Sequence, residues 1–124
     1  MSIPVELAAL AERLDEYGPV AYLVTVGDES LPHVVSVRVA WEGDELVVGA
    51  GRRTSANVEQ RPQVTLLWPA PPGAGYGLIV DGTGRAVAGR EEAVLAIGPN
   101  AAVLHRTPEG DASAPSCITV LARA

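Results

Sequence analysis

The chain has 124 residues, with 9 basic and 15 acidic side chains and a formal net charge of −6. That length provides for one domain, residues 1 to 124, with one core of ordinary size, and 48% hydrophobic against 19% charged residues is a globular balance rather than a disordered one. An acidic chain with scattered cations is a poor wrapper of DNA or RNA, which needs a concentrated positive face, and the single cysteine, Cys117, excludes an intramolecular disulfide framework and a Cys-only zinc site.

All nine basic residues are Arg, and Phe is absent, so the core falls to Val, Leu, Ala, two Trp and three Tyr. Thirteen Gly and ten Pro suit strands and turns better than a helix bundle. No apolar run approaches the ~20 residues that span a bilayer. The amino terminus has no basic leader before its apolar positions, so a cytoplasmic protein with no membrane partner is expected.

The first segment predicts one amphipathic helix. Ser2 is its N-cap and Pro4 lies in its first turn, where a missing N–H costs nothing. Leu7, Leu10, Ala11, Leu14 and Tyr17 form the apolar stripe, and Gly18-Pro19 stops it. The period then changes to two. Val20 to Val26 is a strand, residues 27 to 30 a turn, and His33 to Trp41 a second strand. That strand sorts Val35, Val37, Val39 and Trp41 to one face and Ser36 and Arg38 to the other. After Gly43-Asp44, Leu46 to Ala50 makes a third. Successive hairpins imply an antiparallel sheet.

Residues 51 to 63 are too polar for a strand. Thr54 or Ser55 caps a short helix that runs through Gln60 and ends before Pro62. Val64 to Trp68 is the fourth strand. Tyr76 to Ala88 is a long strand or a hairpin broken at Asp81-Gly82-Thr83-Gly84, and Ala93 to Ile97 reads as strand or helix. Residues 107 to 115 form a loop, and Cys117 to Leu121 a last strand. The sum is a mainly β fold: a small antiparallel barrel of six or seven strands with one or two short helices.

Arg52, Arg53, Thr54 and Ser55 are the leading chemical feature. Two guanidiniums and two hydroxyls stand at a helix N-terminus, where free N–H groups and the dipole favour an anion, and the Arg fork suits phosphate. The alternative is a capped surface turn with solvated arginines. The Gly-x-Gly pairs at 49, 73 and 82 match neither a dinucleotide fingerprint nor a phosphate loop. His33 and His105 lack a third ligand at a recognisable spacing, so no metal is expected. His105-Arg106 either places an imidazole and a cation over a pocket or forms a polar strand end. Trp41, Trp68 and Tyr76 either stack on a planar ligand or fill the core.

The stretches AYLVTV (21 to 26), PHVVSV (32 to 37), LVVGAGRRTSANVEQRPQVTLLW (46 to 68) and AVLHR (102 to 106) resemble the pyridoxamine 5′-phosphate oxidase-like family of flavin-binding split β-barrels. The resemblance implies a six-stranded split barrel with an N-terminal helix and one short helix after the third strand. It further implies a homodimer with FMN, or the related deazaflavin coenzyme, at the interface. Arg52, Arg53, Thr54 and Ser55 would hold the cofactor phosphate, Asn57 matches the Asn of a K-x-x-N pattern, and His33, Val35 and Ser36 would line the ring. Thr54 stands where relatives often carry Lys, which leaves Arg52 and Arg53 to substitute. Trp68, His105 and Arg106 are the candidate contacts to a small-molecule substrate, and no side chain is assigned as general acid or base. The implied activity is a flavin- or deazaflavin-dependent oxidoreductase; the alternative is a cofactor-free split-barrel module that binds a small molecule without catalysis.

Overall fold

The two hairpins expected from alternation form the centre of the sheet. In the computed structural model, which describes residues 2–73 and 75–107, β2 (Val20–Val26) pairs with β3 (Pro32–Glu42), and β3 with β4 (Glu45–Gly49). β5 (Gln63–Trp68) lies on the other side of β2 and pairs with β6 (Gly77–Ala86). β7 (Val94–His105) pairs with β6 along one edge and with β4 along the first part of the other. The ring β4-β3-β2-β5-β6-β7 therefore closes into a six-stranded antiparallel barrel.

Closure fixes which face of each strand is interior. Ala21, Leu23 and Thr25 of β2 are buried while Val20 and Tyr22 are exposed. Leu46, Leu66, Leu78 and Ile97 enter the same core from four other strands. On β3 the inward set is that predicted from its alternation, with Val37 buried and Val35, Val39 and Trp41 packed against the core.

The amino terminus departs from the predicted helix. Ser2–Val5 is a strand, β1, paired with the second half of β7 from Val5↔Ala102 to Ser2↔His105. Pro4 is tolerated because β1 is an edge strand, and an edge strand can do without one N–H. A single 3-10 turn over Leu7–Ala9 then leads into α1 (Leu10–Tyr17), whose Leu10 and Leu14 are buried. Gly18 ends α1 at φ 87, as its place before Pro19 predicted.

Two further boundaries moved. The second helix, α2 (Arg52–Gln60), starts three or four residues earlier than predicted, with Gly51 as N-cap and no side-chain cap; neither Thr54 nor Ser55 caps it. The Asp81-Gly82-Thr83-Gly84 segment is no hairpin turn: it runs straight through β6 with a register shift between Asp81 and Gly82. Its glycines serve packing. A Cβ at Gly82 would stand 2.7 Å from the Gly98 carbonyl oxygen and 2.7 Å from Ile97 Cγ2, and one at Gly84 would stand 3.1 Å from Val58 Cγ1 of α2. Residues 94 to 97 resolve as strand because both β4 and β6 need that partner. The predicted last strand at 117 to 121 lies outside the described residues, as does all of the predicted loop beyond Thr107.

Substitution of Gly82 by Ala must push β6 away from β7 at the point of closure. Chemical denaturation is expected to show a loss of about 2 kcal/mol for Gly82→Ala, whereas Gly49→Ala, with nothing within 4 Å of its Cβ, is expected to change stability by less than about 1 kcal/mol. Equal effects would show that the close approach does not limit packing.

Candidate functional site

The β2–β3 connection and the start of α2 come together at one end of the barrel. Gly27 N–H donates to the Leu31 carbonyl at 2.7 Å, closing the turn. Within it Glu29 and Ser30 have φ of 60 and 61, left-handed values rare outside Gly and Asn. Across from this turn, α2 opens without a side-chain cap, and its first intrahelical bond runs from Ser55 N–H to Gly51 O. The N–H groups of its first turn thus lack intrahelical acceptors and carry the positive end of the dipole.

Between them lies a cleft of about 550 Å³, lined by His33, Arg52, Arg53 and Asn57 together with the turn residues Gly27 and Asp28. Arg52 and Arg53 are exposed. The Arg61 guanidinium at the far end of α2 reaches Asp28 at 3.5 Å. Asp28 is 95% exposed, so water screens this pair and it fixes little. Beneath the cleft, Asn57 Nδ2 donates to Thr25 Oγ1 at 3.0 Å in a buried contact between α2 and β2.

Of the residues singled out from the sequence, His33, Arg52, Arg53 and Asn57 share this cleft; the others are elsewhere. Thr54 is 2% exposed under the helix, so its side chain does not reach the anion-facing side. Ser55 borders a separate groove with Val58, Pro62 and Gly84. Val35 packs against the core, and Ser36 points outward beside Tyr22, because adjacent strand residues face opposite ways. Trp68 is 1% exposed and its indole N–H donates to the Gly18 carbonyl at 3.0 Å. It is a core residue and offers a substrate no surface.

His105 and Arg106 stand at the other end of the barrel. His105 pairs with Gly77 at the start of β6, whereas α2 packs against Gly84, seven residues on, a rise of roughly 23 Å. Within one chain they do not belong to the cleft. His105 Nδ1 is bonded to Ser2 Oγ at 3.0 Å, and the Arg106 guanidinium lies 5.1 Å from the centroid of the Tyr76 ring. Tyr17 donates its hydroxyl to the Tyr76 carbonyl at 2.9 Å. Thr25 and Gly27 escaped the sequence reading: both look like ordinary strand and turn residues until α2 is laid against them. Among the described residues no cluster of three or more His, Cys, Asp or Glu is placed to hold a metal, and no helix is long and apolar enough to cross a membrane.

No protein-family model matches the chain. Two uncharacterised proteins, from Mycobacterium bovis and Mycobacterium tuberculosis, are each 38% identical over 129 residues, covering 92% of this chain and 90% of the relative. The chain belongs to one family with them. Its fold is that of the pyridoxamine 5′-phosphate oxidase-like split barrels. A Clostridium acetobutylicum protein of the pyridoxinephosphate oxidase family superposes with TM-score 0.65 at 13% identity, over 82% of this chain and 91% of the other. An F420 reductase gives 0.61 at 20% identity (73% and 94%), and a FAD-binding protein from Mesorhizobium loti 0.64 at 12% (86% and 98%). HutZ, a haem storage protein of Vibrio cholerae, shares the fold with TM-score 0.60 at 14% identity (77% and 92%).

Burial first, then the charge of Glu16, raises the Tyr17 pKa above 10.0, with Arg13 opposing. A group whose folded pKa is raised contributes stability that is intact below the unfolded value and lost as pH climbs through the folded one. Stability is therefore expected to fall above about pH 10, and Tyr17→Phe to flatten that part of the profile, as read by denaturation between pH 8 and 11. An unaltered slope would place the alkaline transition on another group.

Proposed function

We propose that the protein is a cytoplasmic oxidoreductase that binds a phosphate-bearing flavin-type cofactor, FMN or the deazaflavin coenzyme, and acts on a small molecule. The observation that carries this reading is the pairing of Arg52 and Arg53 at the uncapped start of α2, beside His33 and Asn57, in a chain of net charge −6. The donor set fits a phosphate ester: two planar guanidinium forks and the free N–H groups of a helix N-terminus. Bound there, a flavin-type ring would supply hydride chemistry, while the chain's own groups position it and set the local field. The F420 reductase and the FAD-binding protein among the structural neighbours support a cofactor of this kind.

A homodimer belongs to the same reading. Val20, Tyr22, Leu31 and Val34 are 48%, 44%, 61% and 56% exposed on the outer side of β2 and β3 and in their connecting turn. An apolar strip of neighbouring residues on a monomer surface marks an interaction site. It adjoins the cleft, which Leu31 and Pro32 also line, so a second copy seated on this face would border the cofactor site. The second reading is a cofactor-free module that binds a small molecule. It draws on Thr54, a short buried side chain at the position where the pattern of the family that the sequence resembles implies Lys.

Titration with FMN and with the deazaflavin coenzyme, with haem as the comparison ligand, separates these readings. Binding of either flavin type below about 50 µM is expected, and failure of both would sink the oxidoreductase. Arg52→Ala combined with Arg53→Ala is expected to weaken binding by about tenfold or more, roughly 1.4 kcal/mol upward. Unchanged affinity would put the phosphate elsewhere. For the interface, light scattering is expected to give twice the chain mass, reduced to one chain by Val34→Glu; a monomeric wild-type protein would contradict it.

A further inference from the structure

Thr25, Thr54 and Asn57 are the buried polar side chains among the described residues, and Asn57 Nδ2 donates to Thr25 Oγ1. A buried pair of this kind adds little net stability over an apolar pair of the same shape. Its consequence is directional. With Nδ2 committed to Thr25, the other end of the amide, Oδ1, has no donor among the described residues, yet it is not sealed from solvent. Asn57 itself lines the cleft. Gly27 makes room for the amide, since a Cβ there would stand 3.1 Å from Oδ1 and 3.5 Å from Nδ2. Thr25 is fully buried, so its hydroxyl cannot swing out to water and release the amide. The cleft therefore offers guanidinium donors for an anion and, beside them, one fixed acceptor for a hydroxyl.

We propose that Thr25 is a positioning residue: it holds Asn57 with Oδ1 turned to the cleft and so makes the cleft selective for the phosphate ester of a hydroxylated chain over a bare phosphate. This rests on the reading of the cleft as a phosphate site, and it narrows the ligand class to sugar-alcohol phosphates, of which the ribityl phosphate of FMN is one. An acceptor discriminates in this way because a ligand hydroxyl satisfies it, whereas bare phosphate leaves it to water. Thr25→Ser keeps the Oγ acceptor and the orientation. Thr25→Val keeps the shape and loses both. Gly27→Ala leaves the bond and crowds the amide from the other side.

Calorimetric titration with ribitol 5-phosphate and with inorganic phosphate, with FMN run beside them, tests the assignment. Wild type and Thr25→Ser are expected to prefer ribitol 5-phosphate by about tenfold, the worth of one hydrogen bond. Thr25→Val and Gly27→Ala are expected to lose most of that preference while their affinity for inorganic phosphate stays within about twofold. A purely structural role would lower thermal stability and leave the ratio of the two ligands untouched, which would overturn the proposal. So would a wild-type protein that binds ribitol 5-phosphate no better than phosphate, or binds neither. If Thr25→Val does not fold, Gly27→Ala carries the same comparison from a turn. A preference that persists in wild type, and is lost in the variants, while FMN fails to bind would remove the flavin reading and support this one.

Discussion

Because β7 gives one edge to β6 and divides the other between β4 and β1, the six strands close on themselves, and the interior is defined by that closure alone. Pairing on both edges brings Gly82 and Gly98 within a distance that a side chain at Gly82 would forbid. It also forces the inward residues of all six strands into a single cluster, with α1 contributing Leu10 and Leu14 and α2 contributing Val58. A barrel has no exposed edge at its waist, which removes the usual route to edge-to-edge aggregation.

The site is a by-product of how the chain leaves β4. Instead of continuing along the open side of β3, it turns at Gly51 into α2, whose buried face carries Thr54, Asn57 and Val58 and whose open face carries Arg52, Arg53 and Ala56. The buried face is fixed by Val58 against Gly84 and by Asn57 against Thr25. With the helix so rotated, the two arginines face the β2–β3 turn rather than open solvent alone. The positive cleft and the apolar strip on the outer side of β2 and β3 are thus two consequences of one arrangement of strands.

Much of the fold was legible in residue order. Strict alternation along β3 and the short apolar runs of β2 and β5 place their own faces, because a strand's side-chain period is two whatever it pairs with. The misreadings have a common cause. Ser2-Ile3-Pro4-Val5 carries an N-cap and a first-turn proline, which is good helix grammar, yet the free edge of β7 claims it as a strand. The Asp81-Gly82-Thr83-Gly84 run has good turn grammar, yet its glycines answer to Gly98, Ile97 and Val58, which are remote in sequence. Local propensity is a small free-energy term, and a long-range pairing that completes the barrel outweighs it.

For the site, sequence alone determined that Arg52 and Arg53 are concentrated at a helix start in an otherwise acidic chain, since charge and helix boundaries are local properties. It also put His33 at the head of its strand. Only the tertiary structure decided that His33 and Asn57 join those arginines while Ser55, Trp68, His105 and Arg106 do not. Which side chains share a cleft depends on the rotation of α2 about its axis and on the end of the barrel each strand reaches. Both are set by core packing between residues 30 or more positions apart, such as Asn57 on Thr25 and Trp68 on Gly18.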